Sequence, residues 1–220
     1  MAIAALLAAL TQADQSYERV HDYTALFVKQ EINKEGSLGA PENIYLKFSK
    51  PFKMVMEWTN TDKKGLQVLY ERGRHDNKLA IHKPGLFFGL KQVIFLPQSS
   101  PWVREGSRNF DIEDAGLGTF LKDFGAAVRR AQKENKLSVE TDGRVFDVKF
   151  PGTVMDEDYF AARVKLRFDA NGLPVHQELY DWSGRLAGIY DYRDLKLNVG
   201  PDDPAFKKRL NRFLYRVYSQ

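Results

Sequence analysis

Four histidines, at positions 21, 75, 82 and 176, are the side chains best suited to bind a metal or move a proton near neutral pH. No two of them have the i, i+4 helical spacing or the HExxH setting of a zinc enzyme. His75, Asp76 and His82 flank a short apolar run, where an acid/base or metal site would need the turn to gather them. The simpler reading is a polar hairpin turn, in which Asp76 and Asn77 tolerate turn conformations. Asp156, Glu157 and Asp158 stand in one polar run between strands and read as a solvated loop, not as a glycosidase pair. With no cysteine, the chain has no disulfide, no thiolate nucleophile and no Cys-ligated zinc or iron–sulfur centre. There is no GxSxG elbow, P-loop or GxGxxG, and Gly116-x-Gly118 lacks the βαβ unit that a nucleotide site requires. The chain is expected not to be an enzyme, with no catalytic or metal-binding residue and no cofactor.

The formal charge is +4 and the pI about 9.1, with the charges largely interspersed. Two local basic clusters stand out: Arg129, Arg130 and Lys133, and Lys207, Lys208, Arg209 and Arg212. Both read as solvated helix faces, with an anionic membrane surface as the alternative. Phe213, Tyr215 and Tyr218 alternate with Arg212 and Arg216, but a short aromatic and basic tail is weak evidence for RNA, and no nucleic-acid partner is expected.

These residues have to be carried by regular elements. Residues 2–20 form an Ala-rich helix with Ile3, Leu6, Leu7 and Leu10 on one face; it lacks the cationic start and cleavage site of a signal peptide. Short β-branched or aromatic runs follow at 23–32, 42–49, 52–59, 66–71 and 78–82, separated by Gly, Pro, Asn or Asp. Segment 86–116, with only a weak strand signal at 92–96, reads as a long loop and candidate cover. A helix is expected at 117–134, with Leu117, Phe120, Leu121, Phe124, Ala127 and Val128 on one side. Strands resume at 136–141, 144–150, 163–169, 174–181 and 185–197, joined by Asp142-Gly143, Asn171-Gly172 and Ser183-Gly184 turns. Asp203-Pro204 opens a short C-terminal amphipathic helix with Phe206, Leu210 and Phe213. The domain plan is one unit over 1–220: helix 1–20, first strands 21–85, cover and helix 86–134, second strands 135–200, and C-terminal helix and tail 201–220.

About ten closely spaced strands mean antiparallel hairpins in one large sheet, with the helices on one side of it. Ile44, Leu46 and Phe48, then Met54, Met56 and Trp58, recur at period 2, as do Phe146 and Val148, and later Phe168. Lys47, Lys53 and Glu57 point the other way and are expected to face water.

Tyr23-Thr-Ala-Leu-Phe-Val-Lys-Gln30, the run from Tyr45 through Lys50-Pro51 to Trp58, and Val68-Leu-Tyr-Glu-Arg-Gly73 together resemble the opening of the LolA-like superfamily. Phe168-Asp-Ala-Asn-Gly-Leu-Pro174, Asp181-Trp-Ser-Gly184 and residues 190–199 resemble its last hairpin, and the likeness spans about two thirds of the chain. Where the lipoprotein carrier has an Arg before the Pro that helps to hold its lid shut, this chain has Lys50, which lacks the bidentate fork. The resemblance is therefore to an exported branch of unknown function rather than to the carrier itself. It implies an α+β, mostly antiparallel fold: a curved, unclosed β-barrel with N-terminal, central and short C-terminal helices on the concave face. It further implies a periplasmic or otherwise exported protein whose signal peptide lies outside this sequence. A lipid or acyl chain would be held by Ile44, Leu46, Phe48, Met54, Met56, Trp58, Phe146, Val148 and Phe168, under a lid of Lys50, Phe87, Phe88, Phe95, Trp102, Phe120 and Phe124. The alternative is an envelope scaffold or sensor with a filled core that binds another envelope protein. A peripheral membrane contact fits either reading.

Overall fold

The computed structural model describes residues 1–33, 35–85, 93–101, 111–155, 158–200 and 204–219. Phe87, Phe88 and Trp102 of the expected lid, the acids Asp156 and Glu157, and the Asp203 cap lie outside the described residues.

Helix α1 (Ala2–Glu18) leads into strands β1 (Asp22–Glu31), β2 (Glu42–Ser49), β3 (Lys53–Trp58), β4 (Gln67–Glu71), β5 (Leu79–His82) and β6 (Ile94–Leu96). Helix α2 (Leu117–Lys133) precedes β7 (Ser138–Thr141), β8 (Phe146–Lys149), β9 (Arg163–Phe168), β10 (Pro174–Tyr180) and β11 (Leu186–Leu197). Two short helices, α3 (Pro204–Arg209) and α4 (Arg212–Tyr218), follow. The strands are ordered β6-β5-β4-β3-β2-β1-β11-β10-β9-β8-β7, an open sheet of eleven whose edges are β6 and β7. Pairings within β2–β6 and within β7–β11 are antiparallel. The hairpin turns read from Gly are closed by aspartates. The Asp142 carboxylate accepts from the amides of Arg144 and Val145, Asp169 from Asn171 and Leu173, and Asp181 from Ser183 and Arg185.

The chain forms two compact units. The first comprises Met1–Arg19, Lys29–Ala40 and Asp114–Tyr192. Here α1 buries Leu6, Leu10 and Ala13, and α2 buries Leu117, Phe120, Leu121, Phe124, Val128 and Ala131. Phe124 meets Phe150 edge-on at 5.9 Å, and Phe120 meets Phe160 at 6.3 Å. Gly118 of the Gly116-x-Gly118 pair has a packing role: a Cβ there would lie 2.4 Å from the Tyr17 ring of α1, so only glycine lets the two helices approach this closely.

The second unit comprises Val20–Val28, Pro41–Glu113 and Arg193–Gln220. In it Phe206, Leu210 and Leu214 of α3 and α4 pack against Val55, Leu69 and Ala80. Val55 alternates with Met54 and Met56 along β3, so the C-terminal helices cover the opposite side of the strands from the methionines. Two expectations are corrected by this. The C-terminal helix does not join the apolar side of Met54, and Lys47, Lys53 and Glu57 do not stand in water. Lys47 is 1% exposed and donates to the Gly200 carbonyl at 2.6 Å beneath Phe206. Lys53 reaches the Tyr218 carbonyl at 2.6 Å, and Glu57 pairs with Arg209 at 3.3 Å. The cause is that Val55, Leu69 and Ala80 place an apolar strip among those charges, which the apolar stripe of α3 and α4 must bury. The helical stripe runs through Phe206, Leu210 and Leu214, with Phe213 only half-buried, and the helix is broken at Asn211, whose side chain caps α4 at Phe213 N, 2.9 Å away.

Candidate functional site

Strands β2, β3 and β4 assemble one apolar face. Ile44 lies opposite Trp58, Leu46 opposite Met56, and Phe48 opposite Met54; Met56 and Met54 in turn face Val68 and Tyr70. Ile44, Leu46, Phe48, Met54, Met56, Val68 and Tyr70 are all buried. At 3.4 Å per residue, the span from Ile44 to Phe48 is about 14 Å. Its two ends differ. Half-buried Trp58 donates from Nε1 to Glu42 at 2.8 Å, and Glu42 also pairs with Lys63. At the hairpin end, Phe48 stacks on Tyr23 at 4.9 Å and meets Phe52 edge-on at 5.2 Å, and Phe52 meets Tyr70 at 5.9 Å.

That aromatic group ends in a polar clasp. The Tyr70 hydroxyl donates to Glu113, Glu113 accepts from Arg72, and the Arg72 guanidinium lies over Phe52. Arg72 and then Tyr70 hold the Glu113 carboxyl below its ordinary range, against the opposing effect of burial. Burial, reinforced by Glu113, pushes the Tyr70 phenol up to about 12. Lys50 is exposed at the tip of the β2–β3 hairpin, where its amide donates to the His21 carbonyl at 2.8 Å.

In the first unit, Val148, Val164 and Leu166 are buried on one face of β8 and β9, and the half-buried rings of Phe146 and Phe168 meet edge-on at 5.9 Å. Phe120 and Phe124 belong to this unit's core. Phe95 stands opposite Ala80, on the side that α3 and α4 occupy, 42% exposed and 4.9 Å from the His75 ring.

His75, Asp76 and Asn77 all adopt positive φ between β4 and β5, and Asn77 accepts from the Gly73 amide at 2.7 Å. His82 lies on β5 opposite Gln67. Among the described residues no group of three or more His, Cys, Asp or Glu is placed to hold a metal ion. A different histidine acquires acidic neighbours. His176 Nδ1 lies 2.7 Å from Asp191, its Nε2 lies 3.5 Å from Glu178, and Glu178 accepts from the Tyr180 hydroxyl at 2.6 Å. Period 2 along β10 shows three of these residues in the sequence, but Asp191 joins only through the register of β11. Among the described residues no hydroxyl nucleophile bonds to His176.

An open antiparallel sheet with helices at the start, middle and end of the chain is the architecture that the LolA-like resemblance implies. The chain belongs to the DUF1571 family, described as proteins of unknown function, which it matches over residues 20–214. Similar solved structures include a LolA superfamily protein from Nitrosomonas europaea, with 14% identity, 94% of this chain and 98% of that one covered, and a TM-score of 0.40. The Mycobacterium tuberculosis lipoprotein LppX is similar at 13% identity, with coverages of 89% and 98% and a TM-score of 0.43. The Pseudomonas aeruginosa MucA/MucB complex is similar at 15% identity, with coverages of 93% and 60% and a TM-score of 0.44. No curated protein matches the chain by sequence. Among the described residues no helix is long and apolar enough to cross a membrane.

Proposed function

We propose that this is a non-catalytic binding protein of the bacterial cell envelope that holds a lipid or acyl chain against the β2–β4 face. The observation that carries the reading is the make-up of that face. Ile44, Leu46, Met54, Met56 and Val68 line it without a polar side chain, and polar groups stand at its ends, at Glu42 and at Tyr70–Glu113. Met54 and Met56 are unbranched and polarizable, so this lining can repack around a flexible chain at small cost. Each methylene buried there contributes about 0.8 kcal/mol, enough for useful affinity after association costs are met. In the first unit, Phe146, Val148 and Phe168 offer a second apolar stretch, with Phe120 and Phe124 of α2 as its cover.

Native mass spectrometry of freshly purified protein tests the reading. A co-purified species with a lipid mass, lost on delipidation and regained with added fatty acid, is the expected result. A bare chain that takes up no fatty acid would instead mean a filled core, and a scaffold that binds another envelope protein would take its place.

A further inference from the structure

From Pro204 to the C-terminus the chain has five cations, Lys207, Lys208, Arg209, Arg212 and Arg216, and no acid. The formal charge of the whole chain is +4, so these five exceed the entire excess and the remainder is slightly acidic. The positive character suggested by the pI is thus local. Helices α3 and α4 spend their apolar stripe on Val55, Leu69 and Ala80, which leaves all five cations exposed. Arg209 is engaged, by Glu57 at 3.3 Å and by the Tyr45 ring at 4.3 Å. Lys208, Arg212 and Arg216 pair with no carboxylate among the described residues. Arg212 and Arg216 both lie over the half-buried Phe213 ring, 4.6 and 5.8 Å from its centroid.

We propose that the α3–α4 surface docks on an anionic phospholipid bilayer. Two arginines over one aromatic ring, with three more exposed cations on the same pair of helices, suit a plane of phosphate headgroups, which asks for positive charge and not for a shaped pocket. Because the apolar stripe is already buried, attachment is by charge, reversible and weakened by salt. RNA is the poorer fit, since Tyr215 and Tyr218 pack into the cluster with Val55 and Leu69 and offer no open stacking platform. The surface is firmly seated: Gln67 donates to the Arg209 carbonyl at 2.7 Å and accepts from the Asn211 amide at 2.8 Å. The inference stands apart from the acyl-chain reading, because it concerns the other side of β3 and β4.

Flotation with vesicles of phosphatidylcholine, alone or mixed with phosphatidylglycerol, tests it on the full chain. Binding should require phosphatidylglycerol and vanish at high salt. Replacing Lys208, Arg212 and Arg216 together by Gln should weaken binding by about a hundredfold. The same change at Lys122, Arg129 and Lys133, exposed on α2, removes equal charge elsewhere and should weaken it only a few-fold. Unchanged hydrogen exchange across residues 206–218 would show that the first variant keeps its helices. Absence of binding to anionic vesicles, equal loss in both variants, or binding to a DNA or acidic-protein probe with none to vesicles would each overturn the proposal.

Discussion

Lys47 carries an ammonium group into a place that water barely reaches, and it is tolerated because the Gly200 carbonyl accepts a hydrogen bond from it and the Phe206 ring lies 4.9 Å away. Lys47→Ala removes a charge-assisted hydrogen bond together with a packed stem and should lower the unfolding free energy by about 2 kcal/mol in urea titration. Lys47→Met, which keeps the stem, should cost less. Carboxylates provide the pH dependence. Arg163 donates twice to Asp147 and holds that carboxyl below its ordinary range, more strongly than burial raises it. A folded-state value below the unfolded one gives stability that is complete above about pH 5, and it is lost as pH falls through the folded value. Asp147→Asn should therefore lower stability at pH 7 by about 1 kcal/mol, discounted for partial solvent access, and shrink the loss on acidification. Denaturation curves at neutral and acidic pH check both statements; an equal acid loss in variant and parent would remove Asp147 from the account. Lys47 also marks a limit of reading alternation. The period-2 pattern put it on the side of the sheet away from Met54, where its register partner is Val55, but the helices that bury it come from the far end of the chain.

Among the elements, strands and turns were legible because their signals are local. Alternating apolar residues and Asp or Gly punctuation located ten of the strands within a few residues, and the weak signal at 92–96 became β6. Which side each helix covers was not legible, since it depends on contacts between segments distant in sequence. Val55, Leu69 and Ala80 did carry a signal: apolar residues between charged ones on the second side of β3 to β5 imply that both sides need cover. Gly118 shows the same limit. A glycine near the start of a helix invites replacement by alanine, worth about 1 kcal/mol from propensity alone. Here the added methyl would meet the Tyr17 ring at 2.4 Å, so α1 and α2 would have to separate. Gly118→Ala should destabilise by about 1–3 kcal/mol, the range for overpacking, and lower the melting temperature. Adding Tyr17→Ala should make the alanine at 118 less harmful than it is alone, which a double-mutant cycle measures. A raised melting temperature in the single variant would mean that the helices yield at no cost.

For the whole molecule, the acyl-chain reading turns into a statement about stability. A ligand bound only by the folded chain adds RT ln(1 + [L]/Kd), about 2.7 kcal/mol at a hundredfold excess over Kd. The denaturation midpoint of delipidated protein should thus climb steadily with the logarithm of fatty-acid concentration. The gain should survive high salt, because it rests on apolar burial and not on the cations of α3 and α4. Trp58 supplies a local readout: it stands opposite Ile44, with its indole nitrogen on Glu42, so an occupant of the face should shift its emission. Met56→Gln places an amide among apolar neighbours at the centre of the face and should flatten the climb while leaving a cooperative transition. A double variant at Lys208 and Arg212, on the other side of β3 and β4, should climb as the parent does. If the parent's midpoint stays flat at saturating fatty acid, the methionines are core and nothing more, and the search moves to a protein partner.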